Sequence, residues 1–162
     1  MNGVETLRSS GEGDAMYDEI LAATAGDGAS TDAVAHVLDL AAHHDARHYA
    51  LHIVDSDVYQ ACSGDEFVDD HEGPEHGLEE WGHEALESIG EAGADRNVDV
   101  VRALEHGVPE GCILASAADH DIDLVVVGTR RWPDEYRNLL GSTTERVTRL
   151  ADCPVLVVKT VA

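Results

Sequence analysis

The stretch Leu124-Val125-Val126-Val127-Gly128-Thr129-Arg130-Arg131, followed after nine more residues by Gly141-Ser142-Thr143, decides the fold. An apolar run ends at a glycine, a long loop follows, and a second glycine leads into a helical pattern. That order is strand, loop, helix N-terminus, the arrangement by which an α/β sheet turns backbone N–H groups toward a phosphate.

Outward from it, apolar runs and amphipathic segments alternate. Residues 17–24 (YDEILAAT) form a first strand ending at the breaker cluster Gly26-Asp27-Gly28. A helix over 31–45 sets Ala33, Val37, Leu40 and Ala41 on one face. Strand two covers 47–54 and an acidic surface excursion 55–75. A helix over 76–94 turns Leu78, Trp81, Ala85, Leu86 and Ile89 inward, and 98–104 is strand three. Pro109, at the first-turn position proline favours, opens a short helix, and 122–127 is a strand buried on both faces. Ser142 caps a last helix to about 151, with Glu145 completing a capping box, and 154–158 is strand five. Five strands alternating with four helices make an α/β, three-layer, doubly wound parallel sheet of Rossmann-like type. Ligands of such sheets sit beyond the carboxyl ends of the strands, so the loops after strands one and four form one site.

Composition bounds the function. The 162 residues suit one domain over 16–162, preceded by a polar mobile tail over 1–15. Thirty-three acidic residues against ten basic ones give a net charge of −23, and Lys159 is the single lysine. Such a surface repels nucleic acid and anionic membranes. Spread along the whole chain, it points to a halophilic protein in a cytoplasm at molar salt, where the Debye length shrinks to ~3 Å. Cys62, Cys112 and Cys153 are odd in number and far apart, so they read as reduced thiols of a cytoplasmic protein. No apolar run is long enough to span a bilayer.

The blocks YDEILAAT, ALHIVD, GVPEGCI, DIDLVVVG, LLGSTTERV and CPVLVVK, in this order, resemble the universal stress protein family over most of the chain from Tyr17 to Thr160. The resemblance implies strand order 3-2-1-4-5 and a homodimer that pairs its C-terminal strands. It also implies a cytoplasmic stress-response protein that binds ATP or another adenine nucleotide, with Mg2+, in some members and not in others. Carried onto this chain, the motif G-x2-G-x9-G-[ST] falls on Gly128, Arg131, Gly141 and Ser142, so its second glycine is an arginine. The aspartate of the family turn after strand one falls on Ala25, beside Ala23. Ile53 matches a position that lines the adenine. The nucleotide site so implied comprises Ala23, Ala25, Ile53, Gly128, Arg130, Arg131, Gly141, Ser142 and Thr143.

The residues leave alternatives open. Gly141-Ser142-Thr143 serves an anion or only a helix cap. The Arg131 side chain either blocks the pocket or, with Arg130, forks onto a phosphate. Ala25 accepts no hydrogen bond; losing a charged acceptor costs about 1.5–3 kcal/mol, and Asp27 is a possible substitute. A histidine- and glutamate-rich stretch (His71, Glu72, His76, Glu80, His83) lacks zinc-site spacing, and His43, His44 and His48 read as surface or strand-edge residues. No nucleophile elbow, P-loop or catalytic dyad is present, so an enzyme is not expected beyond slow ATP hydrolysis. A phosphoacceptor receiver domain would need paired acids where Thr24-Ala25-Gly26 stands, and a PP-loop enzyme a different turn there. A non-binding family member acting through protein contacts is the remaining alternative.

Overall fold

In the computed structural model, residues 16–24, 28–55, 74–129 and 141–159 are described, with side chains of the first two helices from Thr31 and Gly77 onward. The tail 1–15 and the excursion 56–73 lie outside them.

The elements are β1 Glu19–Thr24, α1 Gly28–His44, β2 Arg47–Asp55, α2 Pro74–Asp95, β3 Val100–Gly107, α3 Pro109–Asp119, β4 Leu124–Thr129, α4 Ser142–Leu150 and β5 Val155–Lys159. The strands form one parallel sheet in the order β3-β2-β1-β4-β5, as expected. Crossover helices cover both faces, so strand residues alternate between two cores. Ile20, Ala22, Leu124 and Val126 pack with Ala33, Val37, Leu38 and Ala41 of α1. Leu21, Leu51, Ile53, Val125 and Val127 pack on the opposite face with Ile113 of α3 and Val147 of α4. A third cluster joins Ala50 to Leu86 and Ile89 of α2. Residues 124–127 are buried on both faces, which explains their unbroken apolar run.

Three helices stop in the same way. Asp45, Asn97 and Asp121 follow α1, α2 and α3 with φ of 54°, 56° and 49°, the left-handed region that Asp and Asn tolerate best after glycine. The next residue then returns a hydrogen bond five positions back: Ala46 N to Ala41 O (2.9 Å), Val98 N to Gly93 O (2.8 Å) and Ile122 N to Ala117 O (3.0 Å). Ala46, Val98 and Ile122 are buried, the apolar contact that accompanies this ending.

Four expectations change. α1 begins at Gly28, inside the breaker cluster, because glycine is tolerated in a first turn. β3 runs three residues beyond 104, since its partner β2 continues to Asp55, opposite Gly107. Trp81 is 46% exposed, not inward, because Gly82 occupies the close-packed position beside it. His48 is fully buried, not at the surface. It lies on the α1–α2 face of a strand covered on both sides, where alternation hides a polar residue in the core.

Candidate functional site

β1 and β4 are neighbours in the sheet but not in the chain, so their crossovers leave in opposite directions, and past their carboxyl ends is where sheets of this kind open a crevice. Thr24 closes β1, and Gly128-Thr129 closes β4.

The β4 wall is built of backbone. Gly128 is opposite Val158 of β5, and Thr129 Oγ1 donates to Val158 O at 3.5 Å. The first turn of α4 is tied to the end of β4 by Thr144, whose buried Oγ1 donates to Gly128 O at 3.3 Å. A second tie comes from α3: Arg146 Nη1 meets Glu110 Oε1 at 2.9 Å. Held at these points, α4 directs its first N–H groups, those of Ser142, Thr143 and Thr144, past its own end, where helix geometry supplies no acceptor. Among the described residues nothing lies within 4 Å of where a Cβ on Gly141 would stand.

The cap differs from expectation. Gly141, at φ −59° and ψ 152°, is the N-cap, and no side chain caps the turn. Ser142 is already helical, and Glu145 reaches forward to Arg149 at 2.5 Å instead of back to Ser142. The capping box is therefore not formed, and among the described residues no side chain takes the N–H groups. Glu145 in the first turn favours the helix but opposes an added anion.

The β1–β2 wall is built of side chains. Thr24 and His52 are register partners, and Thr24 Oγ1 lies 3.1 Å from His52 Nδ1 with both residues buried. Trp81 meets the His52 ring edge-on at 6.2 Å between centroids. Burial, helped by the charge of His83, holds the His52 imidazole below its ordinary titration range, so it is neutral at pH 7. Ala23 and Ile53 face the other way, into the α3–α4 core, where Ile53 is 5% exposed.

The fold thus brings Ala23, Ile53, Gly128, Gly141, Ser142 and Thr143 to one end of the sheet. Ala25, Asp27, Arg130 and Arg131 lie outside the described residues. Thr24, His52, Thr144, Glu110 and Arg146 went unread in the sequence. His52 carried a faint signal, as a polar residue within an apolar run; the others depend on contacts across the fold.

Among the described residues no three His, Cys, Asp or Glu side chains converge on a metal position. His106 instead pairs with Glu79 at 2.7 Å, and Glu80 and His83 are exposed on α2. Cys112 and Cys153 are unpaired, and burial pushes both thiols up from their ordinary range, opposite to an activated nucleophile. No described helix is long and apolar enough to cross a membrane.

The model of the universal stress protein family matches residues 16–159. The chain belongs to that family. Universal stress protein MJ0531 of Methanocaldococcus jannaschii is 33% identical over 150 residues, 91% of this chain and 85% of the relative. Among solved structures, hypothetical protein MJ0577 superposes with a TM-score of 0.73 at 24% identity, over 91% of this chain and 99% of that one. A universal stress protein in complex with cAMP (TM-score 0.65, 20% identity, covering 90% and 98%) has the same fold. So does one from Archaeoglobus fulgidus in complex with dAMP (TM-score 0.61, 16% identity, covering 89% and 99%).

Proposed function

We propose that this universal stress protein is a cytoplasmic, dimeric stress-response module that binds or senses an adenine nucleotide, ATP or a relative with or without Mg2+, through an altered site. The observation that carries this reading is the uncapped N-terminus of α4, tied by Thr144 to the end of β4 at the sheet's switch point. A phosphate placed there meets free N–H groups and the favourable end of the helix dipole. The fold neighbours solved with cAMP and dAMP support the choice of nucleotide. In this reading Gly128, Gly141, Ser142 and Thr143 hold phosphate, Arg130 and Arg131 replace part of the missing glycine contact, and Ala23, Ala25 and Ile53 line the nucleoside side. This reading assigns no dedicated base among the described residues, so the role is binding, with at most slow ATP hydrolysis.

Mg-ATP titration in molar KCl by calorimetry and thermal shift tests it. Saturation stabilises by about 2.7 kcal/mol at a hundredfold excess over Kd. A flat response at millimolar ATP transfers the choice to the second reading, a member that acts through protein contacts alone. Ala25, Arg131 and the Glu145 carboxylate favour that alternative.

Two further parts of the proposal rest on separate observations. β5 is an edge strand, with Leu156 exposed and Val155 and Val157 half-buried, and pairing it with a second copy removes an association hazard. Light scattering in high salt should give a dimer that Val157→Pro dissociates; a wild-type monomer ends this part. Salt adaptation accounts for α2, which exposes Glu80, Glu84, Glu87 and Glu91 along one face and has no basic residue in its last turn. Like charges four apart and an acidic C-terminal end destabilise a helix unless screened. Full thermal stability in dilute buffer would count against it.

A further inference from the structure

We propose that Thr24 and His52 are a positioning pair, whose bond locks the carboxyl ends of β1 and β2 together and so shapes the β1 side of the nucleotide crevice; this rests on the nucleotide-binding reading above. Thr24 is the last residue of β1 and His52 its partner across the last rung of the β1–β2 pairing. Among the described residues this is the last rung, and the side-chain contact at 3.1 Å adds to it a second bond between the two strands. Thr24 is 5% exposed and His52 is 3% exposed, which makes the bond expensive to exchange for water.

The ring is itself braced. A Cβ on Gly82 would stand 2.5 Å from His52 Cδ2, 2.9 Å from its Nε2 and 2.8 Å from Leu104 Cδ1. Only a residue without a side chain lets α2 come this close, and the ring is clasped between β1, α2 and the Leu104 side chain of β3. Trp81 meets the ring edge-on. A neutral imidazole bonds the hydroxyl in either tautomer, since Nδ1 accepts from it or donates to it.

Strand geometry explains how a pair facing α1 and α2 governs contacts on the other side. Successive side chains alternate, so Thr24 lies between Ala23 and Ala25, and His52 precedes Ile53. Displacing either member of the pair displaces the backbone of Ala23 and Ile53, the described residues assigned to the nucleoside side.

The experiment measures ATP affinity by calorimetry in molar KCl for the full chain and four variants. Thr24→Val keeps the shape and loses the hydroxyl, and Thr24→Ser keeps the hydroxyl. His52→Leu removes the ring nitrogen, and His52→Asn places an amide near the position of Nδ1. Val and Leu should each weaken ATP by about tenfold, the equivalent of one buried hydrogen bond, while Ser and Asn stay within about threefold of wild type. The two pairs ask one question from opposite ends, so loss of folding in one leaves the other decisive. Wild-type affinity in Thr24→Val or His52→Leu overturns the pair and leaves the nucleotide reading standing. Equal loss in Thr24→Ser and Thr24→Val overturns it too, by assigning the effect to packing. A wild-type chain that takes up no ATP removes the nucleotide reading, and the pair falls with it.

Discussion

The two ends of the sheet are finished differently. At the amino end the seam is sewn shut. Asp123 Oδ2 accepts the N–H groups of Asp18 (2.9 Å) and Glu19 (3.0 Å), Asp123 N donates to Glu19 O, and Arg47 N donates to Asp18 O. Arg47 adds ion pairs to Glu19 and Asp99. At the carboxyl end, α4 opens with no side-chain cap among the described residues, and the buried ties from Thr24 and Thr144, with the exposed Arg146–Glu110 contact, hold the crevice walls. β2 runs through both ends and buries a histidine in each, His48 and His52, four residues apart on one face. The lesson is that a sheet spends its polar contacts on closure at one end and on positioning at the other. Damage at the amino end should therefore cost stability, and damage at the carboxyl end should cost binding.

His48 offers the largest effect. Its Nδ1 bonds Ile20 O at 3.2 Å, and its Nε2 has no partner among the described residues. Burial pushes the imidazole down to about 4, against the weaker upward pull of the Ile20 carbonyl. The unfolded chain titrates near 6.5, so between 6.5 and 4 the unfolded state binds the extra proton and stability falls with pH. Across that whole window the loss is about 3 kcal/mol. Urea unfolding at pH 7 and pH 5, at fixed KCl, should show wild type losing about 2 kcal/mol more than His48→Leu. Carboxylates titrate in both proteins and cancel in that difference. ATP affinity at pH 7 should be unchanged in the variant. Equal pH slopes would sink the assignment.

Gly82→Ala breaks the carboxyl end instead. The new methyl group meets the His52 ring and Leu104, an overpacking that costs about 1–3 kcal/mol, partly offset by up to ~1 kcal/mol from replacing a helical glycine. Gly77→Ala in the same helix is the control, because nothing among the described residues lies within 4 Å of its Cβ position. Melting temperatures should separate the two, with Gly82→Ala lowered and Gly77→Ala unchanged or raised. If both variants rise together, α2 does not press on the ring and the bracing argument is wrong.

What could be read beforehand follows the same division. Apolar runs such as Leu124 to Val127 mark buried strands because burial on both faces leaves no room for alternation. Helix ends were legible to within a few residues, but their reason was not: Asp45, Asn97 and Asp121 are ordinary polar residues until their backbone conformation is seen. His48 defeated the reading because a histidine in an apolar strand gives no sign of which core it enters. Ser142 and Glu145 matched a capping pattern whose second half Arg149 claimed. Of the proposed site, the sequence offered Gly128 near the end of β4 and Gly141 at the N-cap of α4, but not Thr24, His52 and Thr144, whose partners lie 28 and 16 positions away. Residues 25–27 and 130–140, which include Ala25 and Arg131, lie outside the described residues.

The smallest effect is the most selective. Thr144→Val keeps the volume of a buried side chain and removes its bond to Gly128 O, a loss of about 1 kcal/mol in unfolding measurements. Thr148 provides the comparison within the same helix. Its hydroxyl bonds Thr144 O at 2.7 Å, a contact internal to α4. Thr148→Val should therefore shift stability by no more than about 0.5 kcal/mol. The two variants differ more sharply in binding. Thr144 sets the distance between the end of β4 and the N–H groups of α4, so removing its hydroxyl lets the cradle widen, and ATP affinity should fall several-fold. Thr148 stands a turn further on and is exposed, so its variant should bind as wild type does. Equal ATP affinities in the two variants would mean that the Glu110–Arg146 contact and core packing hold α4 in place, and that the hydroxyl of Thr144 is not a positioning contact.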